Sequence, residues 1–204
     1  MGSRVFAICT ASAVTVVVAA IAAAQMLTGA ELIAALRGGG QVIVMRHASA
    51  PRQVPGKDTA NPDNVNLERQ LDAAGRAGAT AMGEAIRRLK IPVGAVLTSP
   101  TYRARETVRY AQLPAAKAYE ELGDGGQSMQ AAAEKQGAWL RQKTADAPRG
   151  TNTIIVTHMP NIARAFPDLS DVADGEALVF RPDGKGGARL VARIPIDAWA
   201  GLRE

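Results

Sequence analysis

Short apolar runs rich in β-branched residues alternate along the chain with longer segments whose apolar positions recur every three to four residues. Residues 41–45 and 153–157, reading QVIVM and TIIVT, are too short for helices and fit central strands covered on both faces. A third run at 94–98 and a shorter one at 117–119 complete the set. Between them, residues 72–90 place Ala79, Met82, Ile86 and Leu89 on one helical face, and 128–143 do the same with Met129, Ala133 and Leu140. Ser99-Pro100 predicts a helix to 111, with Ser99 as cap and Pro100 at its first position. Thr28-x-x-Glu31 has the form of a capping box opening a helix over 28–36, stopped by Gly38-Gly39-Gly40. Segments 176–181 and 188–194 flank Asp183-Gly184-Lys185-Gly186-Gly187 and predict a terminal hairpin. Alternating strands and helices followed by a hairpin define an α/β fold, a three-layer α/β/α sandwich with a mostly parallel central sheet and an antiparallel edge.

Two regions stand outside this rhythm. Residues 48–66 turn to Pro, Asn, Asp and Gly without periodicity and predict a long loop over the end of the first strand, a length that in compact domains is usually functional. At the N-terminus, Arg4 precedes an uninterrupted apolar and small-residue stretch from residue 5 to 24, ending Ala22-Ala23-Ala24 before Gln25. That pattern fits a signal peptide over 1–24 and a single domain over 25–204, in a protein of the periplasm or the cell exterior. The alternative is a retained anchor, since about 20 apolar residues can cross a bilayer; only then is a membrane a partner. The single Cys9 lies in this stretch, so cleavage leaves no thiol for a nucleophile or a thiolate metal site.

Composition narrows the partners. The net charge is +5, and removal of Arg4 with the first 24 residues lowers it to +4. Mild basicity suits anionic ligands. No lysine-rich run, aromatic-interleaved basic stretch or zinc spacing focuses that charge on nucleic acid. Nothing in the sequence speaks to oligomeric state.

The candidate chemistry sits at the strand ends. Both histidines of the chain follow a predicted strand, His47 after Arg46 and His158 after Thr157, while Ser99-Pro100-Thr101-Tyr102-Arg103 follows another. In open α/β sheets ligands bind at the carboxyl edge, so two imidazoles and two guanidiniums should meet there. Arginine forks match phosphate oxygens bidentately, and a helix N-terminus adds partial positive charge. A neutral imidazole held by its second nitrogen can attack phosphorus and form a phosphohistidine. Two histidines without an HExxH motif or a His-rich tract do not make a metal centre, and no cofactor is implied.

The residues at these ends resemble a known family. VIVMRHASA resembles the signature of the histidine phosphatase superfamily, also called the phosphoglycerate mutase-like family; Arg69-x-Leu71-x-x-x-Gly75, LTSPTYRARETV and IIVTHMPNI resemble three further motifs in the family's order. The resemblance spans residues 41–199. It implies that His47 is the nucleophile, that Arg46, Arg103 and His158 bind the phosphoryl group, and that an acid after the third strand protonates the leaving group. Glu121 is the expected acid, because Gly125 follows it by four as in the family's motif; Glu120 and Asp124 are the fallbacks. Arg105 competes with Arg103, though the spacing from Ser99-Pro100 favours Arg103. Asn161, Arg52 and Lys57 are candidates for substrate contact or, more simply, for turns and surface.

The chain departs from the pattern at Ala48, where a glycine is usual, and at Met159-Pro160. These changes and the short chain favour a metal-independent hydrolase over a mutase. The resemblance therefore implies a phosphatase acting on a phosphorylated substrate, and the expected export points to a small one, of phosphomonoester or cell-envelope phosphosugar type. The alternatives are a non-catalytic phosphate or polyanion binder of the same fold and a phosphohistidine-protein phosphatase.

Overall fold

Residues alternate between the two faces of each strand, and this period of two builds two separate cores. In the computed structural model, which describes residues 25–124 and 130–203, β1 (Val42–Arg46) sends Ile43 and Met45 into one core and Val42 and Val44 into the other. Residues 1–24, 125–129 and 204 lie outside the described residues, so the expected signal peptide and the predicted start of a helix at 128, with Met129, are not placed.

The first core is covered by α1 (Gly29–Gly38), α2 (Ala73–Arg88) and α3 (Tyr102–Tyr110), through Leu32, Leu36, Met82, Ile86, Ala104 and Val108. The second is covered by α4 (Gln130–Ala145) and α5 (Met159–Ala165), through Leu140, Ile162 and Ala165. The remaining strands are β2 (Val93–Thr98), β3 (Ala116–Ala118), β4 (Asn152–Thr157), β5 (Ala177–Pro182) and β6 (Ala188–Ile194), and the sheet order is β3-β2-β4-β1-β5-β6. Strands β3, β2, β4 and β1 run parallel, while β5 is antiparallel to both β1 and β6. The three-layer α/β/α sandwich with a mostly parallel sheet and an antiparallel edge is the architecture the sequence predicts.

One consequence of the strand order positions the site. Strand β4 returns between β2 and β1, and the register pairs Arg46 with Thr157 and Thr98 with Val156. The residues that follow these three strands, His47, His158 and Ser99, are thereby brought side by side at one carboxyl edge. The backbone continues the pairing there: His47 N–H donates to Thr157 O at 2.9 Å, and Ser99 N–H to Val156 O at 2.9 Å.

Local details differ from the sequence reading in three places. Thr28 precedes α1 but its hydroxyl makes no capping bond, so the predicted capping box does not form. Helix α3 begins at Tyr102 with Thr101 at the N-cap, two residues later than predicted, although Ser99 Oγ still accepts from Thr101 N–H at 3.2 Å and meets His158 Nε2 at 2.9 Å. Helix α5 was not foreseen after His158; it is only 7 residues long, too short to show a period, and has a proline in its first turn. Asp72 caps α2, accepting from Gly75 N–H at 2.7 Å. No helix or strand interrupts residues 48–66.

Candidate active site

His47 leaves β1 with its ring held at one nitrogen. Nδ1 lies 2.8 Å from Ala48 O, which accepts only from a protonated nitrogen, so the proton sits on Nδ1 and the lone pair on Nε2. Nε2 accepts from Arg103 Nε at 3.2 Å. The Arg103 Nη2 group donates to His158 Nδ1 at 3.2 Å, which leaves His158 Nε2 to donate to Ser99 Oγ at 2.9 Å. The two rings meet edge to face with centroids 5.2 Å apart. His47, His158 and Arg103 are all buried, at 3%, 2% and 5% exposure.

Burial and the neighbouring guanidiniums both disfavour an imidazolium. Desolvation leads, and Arg103, Arg46 and Arg69 add to it, so that the His47 pKa is pushed from 6.5 to about 4 despite the bond to Ala48 O. The same causes, desolvation first and then Arg103 and His47, hold His158 lower still. Both rings are neutral at physiological pH. The positive charge of the site belongs to its arginines.

Three arginines line the cavity of about 270 Å³ around His47 and His158, together with Asp124, Met159 and Pro160. Arg46 is tied by Nη1 to Val172 O at 2.9 Å and by Nη2 to Asp174 at 2.6 Å. Arg103 pairs with Asp124 at 2.8 Å. Arg69 donates from Nε to Pro51 O at 2.6 Å and from Nη2 to Ala50 O at 2.7 Å, fixing the loop just after His47. Sequence reasoning placed Arg69 in a motif without giving it a role in the site.

Of the expected residues, Arg46, His47, Arg103 and His158 come together. Arg105 does not; it is exposed, lies 5.8 Å from the Tyr102 ring centre and lines a separate cavity on the outer face of α3. Arg52 and Lys57 are exposed and do not line the cavity. Glu121 also differs from expectation. The turn Glu120–Leu122 buries Leu122 in the second core, and Asp124, two residues further on, supplies the carboxylate of the cavity lining. Gly125, on which the choice of Glu121 rested, lies outside the described residues.

Such a constellation can hold a tetrahedral anion between guanidinium forks while a neutral imidazole presents its lone pair to the central atom. No protein-family model matches the sequence, and no curated protein matches it. Solved structures do resemble it. The protein histidine phosphatase SixA, complexed with tungstate, shares 18% identity over 77% of this chain and 97% of its own, with a TM-score of 0.57. YhfR from Bacillus stearothermophilus shares 18% over 74% and 95%, with a TM-score of 0.53. A phosphoserine phosphatase from Entamoeba histolytica, a mutant in complex with phosphoserine, shares 14% over 75% and 95%, with a TM-score of 0.51. This chain has the fold of the histidine phosphatase superfamily.

Proposed function

We propose that this protein is a phosphatase that hydrolyses phosphomonoesters through a phosphohistidine on His47. The observation that carries the reading is the state of the His47 ring: Nδ1–H is anchored on Ala48 O, and the Nε2 lone pair opens onto Arg103 in a cavity lined by three arginines. Arg46 and Arg103 bind the phosphoryl oxygens, Arg69 adds a third guanidinium, and His158 joins them once the bound dianion draws a proton onto its Nδ1. Nε2 attacks phosphorus, the P–O bond to the leaving group breaks, and a carboxylic acid supplies its proton. Water then attacks the phosphohistidine, the P–N bond breaks, and phosphate leaves. No step calls for a metal or an organic cofactor.

We assign the proton donor to Asp124 in place of Glu121. In the free site the Asp124 carboxylate accepts from Arg103 at 2.8 Å and lines the cavity around His47. A phosphoryl group held by Arg103 brings its leaving oxygen beside this carboxylate, where a general acid must stand.

On the reading of residues 1–24 as an export signal, the substrate is a small phosphomonoester or a cell-envelope phosphosugar met outside the cytoplasm. The likeness to a protein histidine phosphatase supports a second reading, in which the phosphoryl donor is a phosphohistidine on another protein. An imidazole leaving group would ask less of the acid than an alkoxide.

The test is covalent trapping on protein beginning at Gln25. Incubation with a labelled phosphomonoester and rapid quench should give acid-labile, base-stable label that His47→Ala abolishes. Binding of phosphate without any labelling would overturn the catalytic reading in favour of a binding protein.

A further inference from the structure

Behind the candidate acid lies a buried polar bracket built from the segment that carries His158. Asn161, in the first turn of α5, is fully buried and donates from one nitrogen, Nδ2, to Gly123 O at 2.7 Å, Thr157 Oγ1 at 3.0 Å and Glu121 O at 3.3 Å. Thr157, the last residue of β4 and equally buried, donates from Oγ1 to Leu122 O at 3.0 Å. Three consecutive carbonyls, those of residues 121, 122 and 123, are therefore held by two side chains that flank His158. The next residue is Asp124, whose carboxylate meets Arg103 Nη2, the same nitrogen that donates to His158 Nδ1.

Nothing in the packing of the second core demands an amide at this place. Leu122, Ile162 and Leu140 are the buried apolar residues that the turn, α5 and α4 give to that core. Its Oδ1 has no hydrogen-bond partner among the described residues, while its Nδ2 serves two carbonyls of the turn and Thr157 Oγ1, so every bond of this side chain runs to the turn or to the strand end. What the amide does accomplish is geometric. It locks the turn that delivers Asp124 to the strand end that delivers His158, so the carboxylate and the phosphoryl-binding imidazole move as one body.

We propose that Asn161, assisted by Thr157, is a positioning residue that sets the Asp124 carboxylate where the leaving group departs. The inference rests on the phosphatase reading and deepens it. In the first half-reaction the His47 Nε2–P bond forms, the P–O bond breaks and the Asp124 proton passes to the leaving oxygen. In the second, Asp124 takes a proton from the attacking water, the P–N bond breaks and phosphate is released. Asn161 touches neither substrate nor reacting atoms; it acts through the carbonyls on either side of Leu122.

Such a role predicts dependence on the leaving group. A stabilised phenolate leaves without protonation, whereas an alkoxide does not. Positioned proton transfer contributes about 10²- to 10⁴-fold, so a misplaced carboxylate should cost the alkyl substrate on the order of 10- to 100-fold. The experiment compares β-glycerol phosphate with p-nitrophenyl phosphate on the wild type, Asn161→Leu, Thr157→Val and Asp124→Asn. Asn161→Leu is expected to lose about 10- to 100-fold in kcat/KM, which reports the first half-reaction alone, on the alkyl ester and less than about threefold in kcat/KM on the aryl ester, with phosphohistidine still formed. Thr157→Val, which keeps the branched shape a strand prefers, should show the same skew more weakly and stands in if the leucine variant does not fold. Asp124→Asn should show it more steeply, and Glu121→Gln should not show it. Equal losses on both esters, or none on either, would overturn the positioning role while leaving the phosphatase intact. A wild type that turns over neither ester would overturn the phosphatase reading itself, and this inference with it.

Discussion

Arg103 is asked to do three things with one side chain. Its Nε faces His47 Nε2, and its Nη2 meets both His158 Nδ1 and Asp124. A lysine in its place keeps the charge but offers a single point and cannot span the two imidazoles. Arg103→Lys is therefore expected to lower kcat by about 10²- to 10³-fold, the usual cost of removing a positioned donor from a transition state. Steady-state kinetics against the wild type, with circular dichroism to confirm folding, checks it; a change confined to KM would show that Arg103 binds substrate and transition state alike. At this scale the sequence was informative where function sits beside a strand end. His47, Arg46, His158 and Arg103 lie within five residues of a β-strand, and their placement follows from where the strand stops. Asp124 was harder to place because its position depends on the pitch of a 3-residue turn and on which residue of that turn enters the core. Leu122 won that position, and the carboxylate next in reach of Arg103 was Asp124.

Helices α2 and α3 approach each other more closely than ordinary side chains permit. A Cβ on Gly83 would lie 1.8 Å from Ala111 O, a backbone atom at the end of α3 that cannot swing aside. Gly83→Ala must push the two helices apart, and α3 carries Arg103 at its first turn. The variant is expected to lose about 1–3 kcal/mol of stability, the usual cost of overpacking, read as a lower urea midpoint at unchanged slope. An unchanged midpoint would mean that the helices slide past each other freely. Element by element, legibility followed length and period. Helix α2 showed its face through Met82 and Ile86, and the Asp183–Gly187 turn announced the hairpin; the turn's Gly184 and Gly186 adopt positive φ. Helix α5 was invisible because seven residues beginning Met-Pro-Asn carry no repeat, although Pro160 is a fair helix starter. The capping box failed for a different reason. Thr28 and Glu31 have the right spacing, but Leu27 N–H is drawn to Val191 O at 2.7 Å, which fixes the entry of the chain by pairing it with β6.

Across the whole molecule, the sheet order decides that the two histidines meet, and the fold bears a cost for burying them. The order β3-β2-β4-β1-β5-β6 could not be read from local patterns, since it depends on which distant strands pair. Once β4 enters between β2 and β1, His47 and His158 are enclosed as neutral rings beside arginines. Unfolded, each has an ordinary pKa near 6.5; folded, His47 falls to about 4 and His158 lower. The sign follows directly. Above pH 6.5 neither state binds the extra proton, but between pH 6.5 and 4 the unfolded chain takes up protons that the folded one refuses, so stability is lost as pH falls through that window. For His47 alone the loss by pH 4 is on the order of 3 kcal/mol. The carboxylates of Asp72 and Glu176, also held low by hydrogen bonds, contribute only below their ordinary range near 4, so the two histidines dominate the upper part of the window. Urea titrations at pH 7, 6, 5 and 4.5 should show unfolding free energy declining with acidification in the wild type. His47→Asn keeps a polar group of similar size but cannot titrate, and its slope should be shallower by about 1.4 kcal/mol per pH unit, the equivalent of one proton. Equal slopes in the two proteins would show that the His47 ring is not buried as a neutral base, and the nucleophile assigned to it would then lose its lone pair to a proton below about pH 6.5.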